Sequence, residues 1–348
     1  MVGMRDVAKE AGVSLSTVSL VVNKTGYVSD DMRARVKAAM KELNYVPNEL
    51  ARNLYKNRTN LVGVIVPTIR HPFFATLTAH LQRELAAQGL RTMLCSTADA
   101  ENGEVEYVDM LRRHMMDGII VCSHTTHPND YWTSIHRPIV AFDRVLGGGI
   151  ASIGSDHEQG GRLMAHMLVN TGAHHVVMIG GPRDQFFDLA ARNGDSPDDF
   201  DLHKTTFPAV RYYLTLEQEL KAAGVRYEYV EAGNVEDFQG YKNAVNAVLN
   251  SMPVDGVDAV VSSDIGAALC VREAMRRHIS IPRDLQIIAY DGTYLTDLAG
   301  MKMTAVAQNF DKIAQVAVGN IVRAIAKEGD AKADTTRATG RKRVPSRI

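Results

Sequence analysis

The chain has 348 residues, of which 45% are apolar, and its formal net charge is −1. This length suggests a small module beside a larger one, and the absence of a run of 18 apolar residues predicts no membrane span. The amino-terminal stretch lacks the apolar region of a secretory signal, and the three cysteines, Cys95, Cys122 and Cys270, are widely spaced, odd in number and without a CxxC pair, as in a reduced cytosolic protein. We therefore expect a cytoplasmic protein without metal or cofactor.

Charge is unevenly distributed along the chain. Residues 1–58 carry ten Lys/Arg and six Asp/Glu, a net charge of +4, whereas the remainder carries a net charge of −5. A basic segment attached to a mildly acidic body favours a polyanionic partner at one end of the protein only.

Three short helices are predicted at the start of the chain. Gly12 ends the first, Ser14 caps the second, which runs from Leu15 to Asn23, and Ser29 caps the third. Valines at helical spacing give the second helix a buried side, opposite short hydroxyl side chains. A helix, a glycine-containing turn and a second helix form the geometry that places a helix in the major groove of DNA. Spacing alone leaves a generic three-helix bundle open as the alternative.

The residues themselves narrow this choice. DVA, AGVS, TVS, VVN, LNYVPN and ARNL follow one another over about fifty residues. This segment closely resembles the DNA-binding head of the lactose-repressor/galactose-repressor (LacI/GalR) family. The resemblance implies a sequence-specific DNA-binding transcriptional regulator, most often a repressor. By match, the base-contacting residues are Leu15, Ser16 and Leu20, and the phosphate-contacting residues are Thr17, Ser19, Asn23 and Tyr27.

Two positions of the head depart from the family pattern. Gly3 replaces the usual Thr or Ser that caps the first helix, and Leu20 occupies a site often held by Arg. Since leucine cannot form the bidentate contact to guanine, apolar contact with a thymine methyl is expected at the base facing Leu20.

The family resemblance also implies a hinge helix over residues 48–57. Leu54 matches the side chain that wedges into the minor groove and bends the duplex, although packing within a linker is the alternative for this residue. Ala51 is small enough for two hinge helices to approach, and Asn48 and Arg52 complete the predicted hinge contacts. The expected domains are therefore a helix-turn-helix head at 1–46, a hinge at 47–58 and a body at 59–348.

From Leu61 onward the pattern changes to alternating strands and helices. Apolar runs such as LVGVIV, GIIVC, PIVAF, HVVMIG and LQIIAY are typical of buried parallel strands. Repeated strand–helix units predict a doubly wound α/β body with parallel sheets, in which ligands bind beyond the carboxyl ends of the strands. The runs are similar to the landmarks of the family body, which implies a periplasmic-binding-protein-like fold of two lobes that close on a ligand, usually in a homodimer.

The polar and aromatic residues that follow the strands are the candidates for effector binding. By match these are Phe73, Phe74, Asp143 and Asp291, and Asp264 is a further candidate from its position after a strand. For each single aspartate, capping of the next helix is the alternative function.

The family's pocket arginine has two candidates here. Arg192 has the better spacing from Pro182, and Arg211 has the better spacing to Gly224; we prefer Arg211. The aromatic residue that often follows the Gly-Asp turn is absent, because Val235 occupies that place.

The expected partners are a pseudo-palindromic double-stranded DNA operator, a second copy of the chain and a small-molecule effector. The effector is expected to be a sugar or sugar phosphate, with a nucleobase or nucleoside as the alternative. A sugar carrier of the same fold would need a secretory signal and no basic head, and no common catalytic motif is present, so a carrier and an enzyme are disfavoured. A body that serves for protein interaction or for dimerisation without a ligand stays open as an alternative.

Overall fold

The computed structural model describes residues 2–47, 58–98, 103–124, 127–128, 130–188 and 205–339, with side chains to residue 329. The chain separates into two compact units, Met1–Thr59 and Asn60–Ile348. Among the described helices, none combines the length and the apolar composition that crossing a membrane requires.

The first unit contains the three predicted helices. They are α1 (Met4–Ala11), α2 (Leu15–Asn23) and α3 (Asp30–Glu42). Ser14 Oγ accepts the Thr17 N–H at 3.1 Å, so the predicted cap of α2 is formed. One small core joins all three helices, and its buried members are Val7, Ala8, Ala11, Val18, Val21, Val28, Val36 and Ala39.

In its described residues, the second unit contains two five-stranded sheets whose strand pairs are all parallel. The first sheet has the order β2-β1-β3-β4-β5, with β1 (Leu61–Val66), β2 (Arg91–Ser96), β3 (Gly118–Val121), β4 (Ile139–Phe142) and β5 (Ala151–Ile153). The second has the order β10-β9-β8-β6-β7, with β6 (His175–Gly180), β7 (Arg226–Glu231), β8 (Ala259–Ser263), β9 (Gln286–Asp291) and β10 (Thr304–Ala307). The predicted parallel α/β architecture is confirmed.

Each sheet is covered by helices and forms a lobe. The first lobe comprises β1 to β5 with α4 (Pro72–Ala87), α5 (Gly103–Arg112) and α11 (Phe310–Thr339). The second lobe comprises β6 to β10 with α6 (His157–Asn170), α7 (Arg211–Ala222), α8 (Phe238–Asp255), α9 (Asp264–Arg276) and α10 (Leu295–Leu298). Both faces of the central strands are thereby buried, which explains their continuous apolar runs.

Within the described residues, the chain crosses between the lobes at two short segments. Residues 154–156 lead from β5 to α6, and residues 308–309 lead from β10 back to α11. Ser155 Oγ donates a hydrogen bond to Gln308 Oε1 at 2.6 Å and ties the two crossing segments together.

Helices α6 and α7 pack closely at Gly161. A Cβ at this position would lie 2.8 Å from the Tyr212 carbonyl oxygen and 3.1 Å from the Leu216 amide nitrogen. Because these backbone atoms cannot move independently, we expect Gly161→Ala to lower the free energy of unfolding by about 1–3 kcal/mol. A lower urea midpoint at an unchanged m-value would report this loss.

The matched control is Gly148→Ala in the loop before β5, where a Cβ would meet no atom within 4 Å. This change should leave the free energy of unfolding within about 0.5 kcal/mol of wild type. Equal urea midpoints for Gly161→Ala and Gly148→Ala would show that α6 and α7 can move apart at Gly161 without loss of stability.

Candidate functional site

The exposed side of α2 is the candidate DNA-binding surface of the head. Val18 and Val21 are buried against the other helices, whereas Leu15 is 43% exposed and Tyr27, in the following loop, is 92% exposed. At helical spacing, five of the predicted contact residues share an arc opposite the two valines: Leu15, Ser16, Ser19, Leu20 and Asn23. One side of α2 thus supplies the core, and the other is available to a partner.

Hydroxyl groups at the start of α2 are held by one another. Ser14 Oγ lies 2.7 Å from Ser16 Oγ and 2.8 Å from Thr17 Oγ1. Further along, Asn23 Nδ2 donates to Ser19 Oγ at 3.1 Å. A hydroxyl can donate once and accept twice, so these contacts fix the side chains and leave capacity for phosphate oxygens or base edges.

Arg35 fixes the turn between α1 and α2. Its Nη2 donates to the carbonyl oxygens of Ala11 at 2.7 Å and Gly12 at 3.0 Å, at the carboxyl end of α1. A cation at this end of a helix also interacts favourably with the helix dipole. Arg35 lies on α3 and therefore helps to position α2 by holding the turn that precedes it.

We expect Arg35→Met to loosen the head, because hydrogen bonds from a charged group contribute about 1.5–3 kcal/mol and a core this small has little stability in reserve. Amide hydrogen exchange of the full-length protein should accelerate about tenfold or more in α1 to α3. The control is Lys37→Met, which removes the same charge from an exposed position of the same helix. Equal exchange rates in the two variants would mean that the Arg35 contacts do not hold the turn.

The predicted hinge residues Asn48, Ala51, Arg52 and Leu54 lie outside the described residues. Their roles stay predictions from the family resemblance.

The second unit contains a cavity of about 230 Å³ at the carboxyl ends of both sheets. On the first lobe its wall is formed by residues that come after strands β1 to β4, namely Pro67, Thr97, His124 and Asp143. On the second lobe the wall consists of Gly181, Pro182, Gln185, Phe186, Phe207, Ala209, Val210, Tyr213, Asn234, Val235, Glu236 and Tyr241. This is the edge at which parallel α/β folds bind ligands.

Aromatic rings form much of the cavity wall. Phe186 stacks on Tyr213 with ring centroids 5.4 Å apart and an angle of 6° between the planes. His124, from the first lobe, lies edge-on to Phe207 at 5.9 Å. Flat apolar faces of this kind suit the carbon face of a sugar ring.

Polar groups in the wall are mostly hydrogen-bond acceptors and hydroxyls. Asp143 and Glu236 supply carboxylates, and Tyr213 and Tyr241 supply phenolic hydroxyls. Among the lining residues in the part of the chain that the structure describes, none is Lys or Arg. The cavity therefore combines acceptors for hydroxyl groups with apolar ring faces.

Of the predicted effector residues that the structure describes, Asp143 is the one that lies in this wall. Its backbone adopts a positive φ of 47° directly after β4, and its amide donates to the Ile153 carbonyl at 2.8 Å. His157 Nε2 lies 2.8 Å from Asp143 Oδ1. The carboxylate is 6% exposed and is held between the cavity and the segment that crosses to the second lobe.

Two histidines near the cavity are neutral at physiological pH. Burial lowers the pKa of His71 to about 4. The pKa of His124 is lowered to about 3, mainly by burial and then by electrostatic repulsion from Arg144 and His71. His71 Nδ1 accepts the Phe73 N–H at 3.3 Å and caps α4. His124 thus offers a neutral imidazole to the cavity.

The other predicted aspartates lie behind the wall. Asp264 accepts the backbone N–H groups of Gly292 at 3.2 Å and Thr293 at 2.6 Å, and so holds the turn after β9. Asp291 accepts from Gln308 Nε2 at 2.8 Å. Burial and then the charge of Asp264 raise the pKa of Asp291 well above its ordinary value. Neither residue lines the cavity.

The two predicted phenylalanines also lie away from the cavity surface. Phe73 packs in the first-lobe core, with its ring centroid 5.8 Å from Phe142 and 5.5 Å from Phe310. Phe74 lies edge-on to His124 at 5.7 Å, one layer behind the wall. They support His124 and the sheet rather than forming the surface themselves.

Arg211, the arginine candidate within the described residues, does not line the cavity. Arg211 begins α7 and is half-buried, but the lining residue of this segment is Tyr213. Arg192 lies outside the described residues. Val235, at the place of the missing aromatic residue, does line the cavity.

Most of the aromatic wall was not predicted from the sequence. His124 directly follows the apolar run GIIVC, so the strand-end criterion that selected Asp143 could have selected it too. Phe186, Phe207, Tyr213 and Tyr241 come from separate helices and loops of the second lobe, and no local pattern marks them as neighbours.

Comparisons with known proteins match both units. Residues 3–48 match the family described as bacterial regulatory proteins, lacI family. Residues 59–194 match the periplasmic binding proteins and sugar binding domain of the LacI family, and residues 165–344 match a periplasmic binding protein-like domain. These matches together span the head and most of the body.

Curated relatives and a solved structure are similar over most of the chain. The sucrose operon repressor of Streptococcus mutans is 33% identical over 92% of this chain and 92% of its own length. The ribose operon repressor of Bacillus subtilis is 33% identical over 84% of this chain and 82% of its own. A periplasmic binding protein/LacI transcriptional regulator from Alkaliphilus metalliredigens, complexed with D-xylulofuranose, is 25% identical with a TM-score of 0.63, covering 77% of this chain and 92% of that one.

Proposed function

Since the chain belongs to the LacI family of bacterial regulatory proteins, we propose that it is a DNA-binding repressor whose operator affinity is controlled by a sugar bound between the two lobes of its body. The observation that carries this function is a cavity with carboxylates and ring faces at the carboxyl ends of two sheets, in the same chain as a basic helix-turn-helix head. The relatives named above are operon repressors, and one solved neighbour holds a sugar.

Selection from a random duplex library tests the DNA-binding function. The full-length protein and a version lacking residues 1–58 are compared at fixed salt, because phosphate contacts make affinity fall with ionic strength. Enrichment of one palindromic sequence by the full-length protein alone is the expected result. Failure to enrich any sequence, with or without pooled sugars, would contradict the function.

The specific DNA contacts are proposals of the same kind. Leu15, Ser16 and Leu20 would face bases, while Thr17, Ser19, Asn23 and Tyr27 would hold phosphates. The exposure of Leu15 and Tyr27 and the helical arc of α2 support these roles. The hinge roles of Asn48, Ala51, Arg52 and Leu54, and the boundaries of the hinge at 47–58, rest on the resemblance alone.

We further propose a homodimer, because two identical heads match the two halves of a palindromic operator. The second lobe carries exposed apolar side chains on and beside α9 and α10: Met275, Tyr294 and Leu298, which are 51%, 56% and 71% exposed. Apolar side chains on neighbouring helices favour an interface with another copy. Sedimentation velocity at micromolar concentration should give twice the chain mass, and a monomer would contradict this assembly. The place of action would be the cytoplasm, where the DNA is.

The charges of the cavity favour an uncharged sugar over a sugar phosphate. Asp143 and Glu236 would repel a phosphate group, and no described lining residue supplies a cation. By calorimetry, D-ribose 5-phosphate should bind at least about tenfold more weakly than D-ribose, since unpaired like charges cost more than about 1.4 kcal/mol in a partly buried site.

Tighter binding of the phosphate ester would contradict this prediction and would imply a cation at the site. Arg192→Ala and Arg211→Ala would then identify which of the two arginine candidates supplies it.

A further inference from the structure

A chain of hydrogen bonds leads from the cavity through the crossing between the lobes. Asp143 lies in the cavity wall on the first lobe, and its Oδ1 is 2.8 Å from His157 Nε2. His157 begins α6, and its Nδ1 is 2.7 Å from the Tyr290 hydroxyl at the end of β9. All three side chains are buried, with exposures of 6%, 3% and 2%.

The chemistry of these groups fixes the direction of the hydrogen bond between His157 and Asp143 and, for a neutral imidazole, that of the bond between His157 and Tyr290. A carboxylate can only accept, so His157 must donate from Nε2. A neutral imidazole then accepts at Nδ1, and the Tyr290 hydroxyl can supply that proton. The three groups are therefore satisfied without an added proton when the imidazole is neutral and protonated on Nε2.

Close packing leaves these groups little freedom to change partners. A Cβ at Gly160 would lie 2.7 Å from the Tyr290 ring, and a Cβ at Gly154 would collide with Asp143 Oδ1. The Tyr290 ring stacks on Tyr212 at 3.8 Å with an angle of 6° between the planes. Larger residues at Gly154 and Gly160 would not fit, so Asp143 and Tyr290 have little room to move away from His157.

The chain of contacts returns to the cavity on the second lobe. Tyr212 lies next to Tyr213, with ring centroids 3.9 Å apart, and Tyr213 lines the cavity opposite Asp143. The side chains in contact are, in order, Asp143, His157, Tyr290, Tyr212 and Tyr213. A ligand that contacts both Asp143 and Tyr213 would therefore act on both ends of one connected set of side chains.

We propose that His157 is a positioning residue, which holds the Asp143 carboxylate toward the bound sugar and couples that contact to β9 of the second lobe. This inference rests on the proposed function, because it assumes that the cavity binds the effector. His157 does not line the cavity and acts through Asp143. Its contribution is a coupling free energy between ligand contact and lobe position, as an effector-controlled regulator requires.

The first experiment detects the hydrogen bonds of His157 by NMR in the protein without a ligand. Full-length protein is labelled with ¹⁵N-histidine, and the His157 imidazole signals are assigned with His157→Gln. We expect Nε2 to carry a proton, because the Asp143 carboxylate can only accept. Tyr290→Phe should shift the Nδ1 signal, and Asp143→Asn should shift the Nε2 signal. A ring without a proton on Nε2, or signals that neither change moves, would overturn the proposal.

The second experiment measures binding of sucrose and of D-ribose by calorimetry. For whichever sugar binds the wild type, His157→Leu should weaken affinity about tenfold, as expected when one hydrogen bond to a charged group is lost. His157→Gln should restore most of it, since an amide can donate to Asp143. Asp143→Asn combined with His157→Leu should bind no more weakly than Asp143→Asn alone, because both remove the same contact.

A structural role alone gives a different pattern. Lower urea midpoints with unchanged sugar affinity in His157→Leu, or losses that simply add in the double variant, would overturn the positioning role. If the wild type binds neither sugar, the proposed effector class fails for these probes, and the imidazole spectra alone decide the role of His157.

Discussion

Asp143→Asn is expected to weaken sugar binding about a hundredfold and to remove the effect of the sugar on operator affinity. The carboxylate is the buried charge of the cavity wall, and each hydrogen bond from a sugar hydroxyl to a carboxylate contributes about 1.5–3 kcal/mol. Two such bonds weakened together correspond to about two powers of ten in the dissociation constant. Calorimetry with the sugar and fluorescence anisotropy with the selected operator measure the two effects.

The matched control is Asp156→Asn, in the segment that crosses between the lobes. Asp156 Oδ1 accepts the Gln159 N–H at 2.9 Å and caps α6, and asparagine caps a helix about as well. This change removes the same charge close to His157 while leaving the cavity wall intact. Sugar affinity reduced equally in both variants would assign the loss to net charge rather than to contact with Asp143. Unchanged affinity in Asp143→Asn would place the sugar elsewhere.

The central strands of the body could be predicted because they are buried on both faces. LVGVIV and HVVMIG are continuous apolar runs for that reason, and both become central strands, β1 and β6. Strands β5, β7 and β10 were not predicted. β7 is an edge strand with the sequence RYEYVE, whose half-buried positions tolerate charge, and β5 has three residues. A half-buried edge strand has no distinct apolar pattern of its own. It is identified by its pairing with a neighbouring strand, and that pairing is set by the fold.

Part of the cavity wall could be predicted from one rule, which is that ligand-binding residues follow the carboxyl ends of parallel strands. Asp143 follows a strand and lines the cavity, as the strand-end rule expects. The same rule selected Asp264, but the helix begins at that residue, so its carboxylate holds the neighbouring turn. It also favoured Phe73, yet α4 begins at Pro72 and directs Phe73 into the core. Where a helix starts decides which side chain faces the ligand, and helix starts are uncertain from sequence by a residue or two.

The burial of His71 has a measurable consequence for the pH dependence of stability. His71 is 3% exposed and caps α4 through an unprotonated Nδ1, and burial lowers its pKa from 6.5 to about 4. The unfolded chain therefore binds a proton below pH 6.5 that the folded protein does not bind. The resulting stability is fully present above pH 6.5 and is lost as the pH falls toward 4.

His71→Asn should remove this part of the acid sensitivity, because asparagine also accepts the cap hydrogen bond but does not titrate. From pH 7.5 to pH 5 the wild type should lose about 2 kcal/mol of unfolding free energy relative to the variant, as one group with this pKa difference requires. Urea unfolding at both pH values measures the difference. His166→Asn, at an exposed histidine, is the control. If the wild type and His71→Asn lost stability in parallel, His71 would have to be charged in the folded protein, and the cap of α4 would need another acceptor.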